Sequence, residues 1–270
     1  MRYLESPAYN RLLNDKALTV YTEKDTGGAA ETEFEWLIDV KKMLEQPINK
    51  TTSTGIYKGK PAILKVNTLR YLSQRVRARL GIKRHGRYEW ATAELHTAIR
   101  MQKRPYIPEL FAYGWSTNRA GLPVKTFSVT RNLTDTLTLE EFVTSHPESI
   151  GPALTLAFDT LLIAIRDRLL HLDPWAGNFL LTRDLKNCWL IDLEFSKLNS
   201  SACIEQQLGF SFGFFFNGKF STHVDRTVYL AFIERWARTQ TLKMNVNTLL
   251  NHTQFYLENT LKRKKRFAAF

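Results

Sequence analysis

The sequence predicts an α+β protein with a β-rich N-terminal lobe and a mostly helical C-terminal lobe. Short strand-like runs separated by Gly and Pro turns fill much of residues 48–130, and one alanine-rich helical pattern interrupts them. After residue 131, apolar residues recur mainly at helical spacing. A chain of 270 residues suits one large domain or two small lobes that share a cleft. We therefore place the N-lobe at 1–130 and the C-lobe at 131–270.

The composition is that of a globular protein with an ordinary core. Hydrophobic residues make up 44% and charged residues 24% of the chain. The longest apolar run, LTLAFDTLLIAI, is interrupted by Asp159 and is shorter than the ~20 residues of a membrane span. The start, MRYLESPAYN, has no basic region and apolar core like those of a secretory signal. Cys188 and Cys203 give no disulfide framework, which favours a reducing, cytoplasmic location.

The net charge of +12 predicts an anionic partner. Much of the excess lies in residues 70–87 and in LKRKKRF at 261–267. Nucleic acid, an anionic membrane surface and an anionic small substrate are the three classes of partner that fit. The chain has no motif of the familiar DNA- or RNA-binding modules, so we expect no nucleic-acid partner. Solvated helix faces would explain the same runs without any partner.

The first part of the N-lobe combines helix-like spacing with strand signals. Apolar residues in the first ~45 positions recur at helical spacing. The segment PINKTTSTGIYKGKPAILKV then predicts three short strands, of which Ile48 opens the first and AILKV forms the third, with TTSTG as a turn. Lys65 lies inside that third apolar strand. A buried lysine requires an anionic partner or ligand, whereas an edge-strand lysine would reach water.

A helix and two further strands complete the predicted N-lobe. The segment YEWATAELHTAIRMQK has a helical pattern that carries Glu89 and Glu94 and ends before Pro105. Either glutamate could face Lys65, and we assign Glu89 as its partner. The segments FAYGW and KTFSVT predict the remaining strands.

The C-lobe contains a shaped loop between helices and strands. A capping box, TLEE, begins a helix at Thr138, and Gly151-Pro152 begins a longer one. The segment HLDPWAGNFLL, residues 171–181, holds both proline and glycine, so it predicts a loop that leads into a strand. The strand CWLIDLEF follows and contains Asp192. The remainder is helical and aromatic, and GFSFGFFF at 209–216 is predicted to be buried core.

The polar residues of this loop and strand have the chemistry of a phosphoryl-transfer site. A hairpin would bring Asp192 beside Asn178, and two oxygen ligands suit Mg²⁺, which fills its shell with water and phosphate. Asp173 remains free to accept a hydroxyl proton. Lys65 could neutralise phosphate oxygens while Glu89 holds its ammonium group. These are the parts of the kinase template, and they predict binding of ATP and Mg²⁺. His171 is predicted to brace the loop rather than transfer protons.

From Gly55 to Ser196 the chain resembles the lipopolysaccharide core heptose kinases of Gram-negative bacteria, members of the protein-kinase-like superfamily. The resemblance lies in AILKV, RYEWATAELH, IPELFAYGW, FSVTRNL, TLEEF, HLDPWAGNFLL and WLIDLEFSK. It implies a two-lobed protein-kinase-like fold. It also implies that FSVTRNL is the hinge between the lobes and offers backbone groups to adenine, and that Ile63, Val129 and Arg131 contact ATP. It implies that Asp173 is the catalytic residue and that Asn178 and Asp192 are the metal ligands.

The chain departs from protein kinases in ways that bear on the acceptor. The segment TTSTG stands in place of a glycine-rich loop, and QQLGF follows where an aspartate often braces the catalytic loop. Trp175 occupies the position of the usual lysine, two residues after Asp173. No A-P-E motif follows Asp192. A sugar hydroxyl therefore suits the site better than a protein substrate.

The resemblance implies a lipopolysaccharide core precursor as the partner, and heptose as the sugar that accepts the phosphate. This polyanionic acceptor lies at the cytoplasmic face of the inner membrane, where the basic segments would dock, each cation contributing up to ~1 kcal/mol. The alternatives are 3-deoxy-octulosonic acid, another small molecule, or a pseudokinase scaffold without catalysis. The sequence leaves the phosphorylated hydroxyl and the oligomeric state open.

Overall fold

The computed structural model describes residues 1–14, 17–24, 35–47 and 50–270. The chain divides into two compact units, Met1–Thr134 and Asp135–Phe270. The first is β-rich and the second is mostly helical, so the predicted α+β class is confirmed. The division falls a few residues after position 130, because the last strand of the first unit continues to Arg131 before the chain leaves the sheet.

The N-terminal unit is built on a six-stranded antiparallel sheet, as far as the described residues go. The order of its strands is β1-β2-β5-β6-β4-β3. In chain order the elements are β1 (Tyr9–Asn14), β2 (Leu18–Glu23), α1 (Glu35–Glu45), β3 (Lys50–Tyr57), β4 (Lys60–Thr68), α2 (Leu72–Leu80), α3 (Trp90–Arg100), β5 (Leu110–Thr117) and β6 (Pro123–Arg131).

The two faces of this sheet carry different side chains because successive residues of a strand point to opposite sides. Ala62, Leu64 and Val66 of β4 lie in a core cluster with residues of α1. Ile63 and Lys65 therefore point to the other face, where Leu95 and Ile99 of α3 pack on strands β2 and β5. The alternation places Lys65 on the side of the sheet that α3 covers.

Two of the predicted N-lobe elements differ from the structure. Residues 50–68 form a hairpin of two strands, not three, and TTSTG lies inside β3, where β-branched threonines favour strand. The turn is at Lys58 and Gly59, which both have positive φ, as a tight hairpin turn of primed type requires. Ile48, predicted to open the first strand, lies outside the described residues.

The first 45 residues are not mainly helical. Strands β1 and β2 pair with each other, and β2 also pairs with β5, so this segment extends the sheet. Only α1 is helical over several turns within the described part of this segment. Val20 and Tyr21 are buried on opposite faces of β2, and a strand covered on both sides loses the polar–apolar alternation that identifies a strand in a sequence. This burial explains why the spacing of the segment resembled that of a helix.

The C-terminal unit surrounds its longest helix with short strands and further helices. In chain order the elements are β7 (Thr136–Thr138), α4 (Leu139–Ser145), α5 (Ile150–Arg166), β8 (Leu169–His171), β9 (Phe179–Thr182), β10 (Cys188–Leu190), β11 (Ser196–Leu198), α6 (Ile204–Asn217), α7 (Arg226–Thr239), α8 (Val246–Glu258) and α9 (Arg263–Ala269). Strands β10, β9 and β7 form one small sheet, and β11 pairs with β8.

Helix α5 is the core helix of this unit. With the preceding turn it spans Pro147–Arg166, which is long and apolar enough to cross a membrane by length and composition alone. Half of that window is buried within the protein. Asp159, the charge within the run, accepts a 2.8 Å hydrogen bond from Trp236 Nε1 of α7. These contacts are those of a helix buried in a protein core.

The predicted capping box and aromatic core are both confirmed. Thr138 Oγ1 accepts a hydrogen bond from Glu141 N, and Glu141 accepts one from Thr138 N, so α4 begins as predicted. In α6 the phenylalanines at 210, 212, 215 and 216 are buried. Gly209 and Gly213 allow α8 to approach closely, because a Cβ at Gly209 would lie 2.4 Å from His252 Cβ.

Candidate functional site

The loop after β8 is shaped by Pro174 and Gly177. The chain leaves β8 at His171, passes a 3₁₀ turn at Ala176–Asn178 and enters β9 at Phe179. The Trp175 ring packs so closely on Gly177 that a Cβ there would lie 2.2 Å from it. Gly177 is therefore required by the close approach of the indole.

His171 braces the loop from within. It is 1% exposed; its Nε2 lies 3.0 Å from Ile191 O, and its Nδ1 accepts a 3.1 Å hydrogen bond from Asp173 N. Burial lowers the pKa of His171 below its usual value, so the ring is neutral near pH 7. An accepting Nδ1 and a donating Nε2–H suit that neutral form. The predicted bracing role is the one this geometry supports.

Asn178 connects Asp173 to Asp192. Its Nδ2 donates a 2.9 Å hydrogen bond to Asp173 O, and its own backbone O accepts one of 3.0 Å from Ile191 N. Strand β10 ends at Leu190, so Asp192 lies beyond the strand rather than inside it, in left-handed backbone with φ 56° and ψ 51°. The Ile191–Asn178 bond brings Asp192 next to Asn178, as the predicted hairpin requires.

The chemistry of these two side chains fits Mg²⁺. Bonding of Asn178 Nδ2 to the loop leaves Oδ1 as an amide oxygen ligand, and Asp192 adds a carboxylate. Mg²⁺ commonly uses one or two protein carboxylates and completes its shell with water and phosphate oxygens. Within residues 1–14, 17–24, 35–47 and 50–270, no group of three or more His, Cys, Asp and Glu side chains could hold a metal ion.

In the N-terminal unit, Lys65 pairs with Glu94 and not with Glu89. Lys65 Nζ lies 2.6 Å from Glu94 Oε1, and the two side chains are 16% and 18% exposed. Glu89 precedes α3 as its N-cap residue and accepts a 2.8 Å bond from Arg77 Nη2 of α2. Positions five apart differ by about 140° around a helix, so both could not face Lys65. The assignment of Glu89 is therefore wrong, and the alternative, Glu94, is correct.

Val129 lies inside strand β6, with strands paired on both sides. It pairs with Leu64 of β4 and with Ala112 of β5. Its side chain packs on the face opposite Lys65 and lines a cavity of about 320 Å³ against α1. Strand β6 continues to Arg131, and the next residue, Asn132, donates its N–H to Pro61 O at 2.9 Å. A contact of Val129 with ATP stays a prediction.

Ile63 and Arg131 keep their predicted roles as expectations. Ile63 shares the α3-covered face of β4 with Lys65, two residues away. Arg131 is the exposed last residue of β6, and its N–H donates a 2.8 Å hydrogen bond to Glu109 O. A cofactor contact of Arg131 would therefore come from its side chain or its carbonyl.

A contact that sequence reasoning missed joins Asp173 to the end of the chain. Arg266 Nη1 of α9 lies 2.8 Å from Asp173 Oδ1 and 2.9 Å from Leu172 O. In the sequence Arg266 belongs to the basic run LKRKKRF, whose composition suggested an exposed docking segment. The pattern KRKKRFAAF does carry one signal, since the apolar residues beside Arg266 predict that this end of the run is buried.

A second feature that the sequence did not show is a cavity beside the loop. It has a volume of about 450 Å³ and lies between α4 and the 3₁₀ turn. Trp175 and Gly177 form one wall. The remaining lining residues are hydroxyl- and carboxylate-bearing residues at the start of α4, namely Thr138, Glu140, Glu141 and Thr144. Lys219 Nζ lies 5.9 Å from the centre of the Trp175 ring.

No protein-family model matches the chain, and no curated protein matches it. Solved structures with a similar fold include the bifunctional kinase-methyltransferase WbdD, at 17% identity and a TM-score of 0.45. They also include the kinase PK-1 of the Cydia pomonella granulovirus, at 14% and 0.36. A third is a divergent Toxoplasma kinase that lacks the glycine-rich loop and regulates membrane ultrastructure of the parasitophorous vacuole, at 12% and 0.44.

The extent of these alignments differs. The alignment with WbdD covers 74% of this chain and 41% of WbdD, and that with PK-1 covers 71% and 55%. The alignment with the Toxoplasma kinase covers 85% of this chain and 86% of that one. The chain therefore spans about half the length of the first two.

Proposed function

We propose that the chain is an ATP-dependent kinase that phosphorylates a sugar hydroxyl, with a heptose of the lipopolysaccharide inner core as its acceptor. The observation that carries this proposal is the hydrogen-bonded link from Asp173 through Asn178 to Ile191 and Asp192. It holds a carboxylate that can accept a proton beside two oxygen ligands for Mg²⁺. The bound metal ion would neutralise charge on the transferring phosphate.

Asp173 is the proposed base of the transfer. It orients the acceptor hydroxyl and takes its proton as the oxygen forms a bond to the γ-phosphorus of ATP. The bond from that phosphorus to the β–γ bridging oxygen breaks, and ADP leaves with the electron pair. Its side chain is 30% exposed, which leaves an acceptor access to the carboxylate. Asn178 and Asp192 hold the metal in this proposal.

Lys65 is the proposed phosphate ligand of the N-terminal unit. Its ammonium group is largely buried and bonded to Glu94, so its position on β4 is constrained before any nucleotide binds. An ammonium group has three N–H donors, so it can bind phosphate oxygens as well as a carboxylate. This is the lysine–glutamate arrangement of the kinase template, with Glu94 in the helix.

The cavity beside Trp175 supports a sugar as the acceptor. An aromatic face can cover the apolar face of a sugar ring, while carboxylates and hydroxyls bind its hydroxyl groups. Trp175 supplies the face, and Glu140 and Thr144 supply such groups. Lys219 adds a cation at the same wall, which suits an acceptor that already carries phosphate or carboxylate.

Helix α2 supports docking at an anionic membrane surface. Leu72, Val76 and Leu80 form an exposed apolar stripe at i, i+4 and i+8, where Leu72 and Leu80 are both 66% exposed. Arg79 and Arg84 are exposed close by. An apolar stripe flanked by arginines fits the boundary between acyl chains and anionic headgroups. The acceptor of the proposed reaction is anchored at such a surface.

A transfer assay tests the proposal. The protein is incubated with MgATP and dephosphorylated lipopolysaccharide core oligosaccharide, and mass spectrometry locates any added phosphate. We expect one phosphate on heptose, and Asp173→Ala is expected to abolish transfer while ATP binding is retained. Near-normal turnover of Asp173→Ala would contradict the assignment of the base. Core from cells that lack the protein should miss the same phosphate.

A further inference from the structure

The C-terminal helix α9 is packed on the loop that carries Asp173. Phe267 meets Phe195 edge-on, with ring centres 5.3 Å apart, and Phe270 packs on Phe210 of α6. Lys197 Nζ donates a 3.0 Å hydrogen bond to Phe267 O. These contacts anchor the residues that directly follow Arg266.

Arg266 lies in a cradle formed by parts of the chain that are distant in sequence. The residue is 9% exposed. Its Nη1 bonds to Asp173 Oδ1 and Leu172 O, and its Nε donates a 3.1 Å bond to Leu261 O. The guanidinium carbon lies 4.2 Å from the centre of the Phe214 ring, which adds a cation–π contact. The side chain is thus held in one orientation.

The charge of Arg266 is permanent. Burial lowers the pKa of Arg266, and the bond to Asp173 opposes that change, but a guanidinium stays protonated near pH 7. This fixed cation lies 2.8 Å from Asp173 Oδ1, and the charge-assisted bond between them orients the carboxylate. The bond engages Oδ1 and leaves Oδ2 for the hydroxyl of an acceptor.

We propose that Arg266 is a positioning residue for Asp173, so that the last helix of the chain completes the catalytic loop. This inference rests on the proposed function, in which Asp173 is the base. The loop itself offers Trp175 two residues after Asp173, and Trp175 has no charge. A cation for the carboxylate therefore comes from 93 residues further along the chain.

Four proteins test the inference: the wild type, Arg266→Gln, Arg266→Lys and the matched control Arg263→Gln. Arg263 lies on the same helix and pairs with Glu194 at 2.8 Å, but its side chain is 56% exposed. Crystal structures of the four proteins without nucleotide locate the Asp173 carboxylate. The kcat and the KM values for transfer to core oligosaccharide, and the melting temperature, are measured on the same proteins.

In Arg266→Gln we expect the Asp173 carboxylate to leave the position that it has in the wild type, because its bond to the guanidinium is lost. The kcat should fall about 100-fold because the base is no longer oriented. The KM for ATP should not change. Arg266→Lys should recover part of the kcat, and Arg263→Gln should behave as wild type.

The outcomes separate this inference from the proposed function. An Asp173 carboxylate that keeps its wild-type position in Arg266→Gln would overturn the positioning role, even if the melting temperature falls. If the carboxylate moves but the wild-type protein transfers no phosphate, the proposed function fails and the positioning role of Arg266 stands. If Arg263→Gln moves the carboxylate equally, the effect belongs to the docking of α9, and the role of Arg266 is overturned.

Discussion

Lys65 Nζ lies 2.6 Å from Glu94 Oε1, and the pair joins strand β4 of the N-terminal sheet to helix α3. Both side chains are largely buried, so water screens their attraction less than it screens a surface pair. Glu89, only five residues earlier, is bonded to Arg77 instead. The two glutamates therefore have separate tasks, which a pair of matched substitutions can distinguish.

Glu94→Gln should weaken binding of MgATP, because Lys65 loses the carboxylate that holds its ammonium group. A loss of about tenfold in Kd corresponds to about 1.4 kcal/mol. Isothermal titration calorimetry measures it. Glu89→Gln is the matched control and should leave the Kd within about twofold, although loss of the Arg77 bond lowers stability. A larger effect of Glu89→Gln than of Glu94→Gln on nucleotide binding would contradict the assignment.

Trp175→Ala should raise the KM for the core oligosaccharide by about tenfold or more, because the cavity loses its aromatic wall. The KM for ATP should remain unchanged in the same assay. Trp175→Phe keeps an aromatic face and should recover part of the acceptor affinity. Equal increases in both KM values would instead indicate that the whole loop is disturbed, since Trp175 packs on Gly177.

Leu72→Ser combined with Leu80→Ser should reduce binding to vesicles that contain phosphatidylglycerol, because the exposed stripe of α2 loses its apolar area. Arg79→Gln with Arg84→Gln should also reduce vesicle binding, and the contribution of these arginines should decrease as the salt concentration rises. Flotation of the protein with the vesicles measures the binding of each variant. Arg235→Gln with Lys243→Gln, exposed residues outside both basic segments, is the matched control. Unchanged flotation of the α2 variants would rule out this docking surface.

His96 should make the folded state less stable in mild acid. Burial lowers the pKa of His96 from its usual 6.5 to about 4, with Arg100 and Lys83 adding to the effect. Between those values the unfolded chain binds a proton that the folded chain does not, so stability present above pH 6.5 is lost as pH falls toward 4. Urea unfolding of the wild type and His96→Gln at neutral and mildly acidic pH measures this.

In this comparison the loss of stability on acidification should be smaller for His96→Gln than for the wild type. Part of the loss should remain in the variant, since His171 is also buried and neutral. An identical pH dependence in the two proteins would mean that His96 titrates alike in the folded and unfolded states. His96 packs against Tyr88, with ring centres 4.6 Å apart, so His96→Gln also loses a packing contact. The melting temperature of the variant is therefore measured first, and a temperature at which both proteins are folded is used.

Local sequence patterns are sufficient to predict the features that depend only on neighbouring residues. Proline and glycine in HLDPWAGNFLL predict a loop whatever surrounds it, because they restrict or free the backbone locally. The capping box at Thr138 and the buried phenylalanines of α6 follow from spacing along one helix. The order of Lys65, Asp173, Asn178 and Asp192 is likewise read directly from the chain.

Tertiary structure alone decided which distant residues meet. Helix α3 begins at Trp90, and this start turns Glu94 rather than Glu89 toward Lys65. Pairing across the sheet placed TTSTG within a strand and Val129 away from Lys65. Arg266 reached Asp173 only because aromatic packing docks α9 on the loop. Such contacts depend on the packing of whole elements, which no local pattern of charge or hydrophobicity specifies.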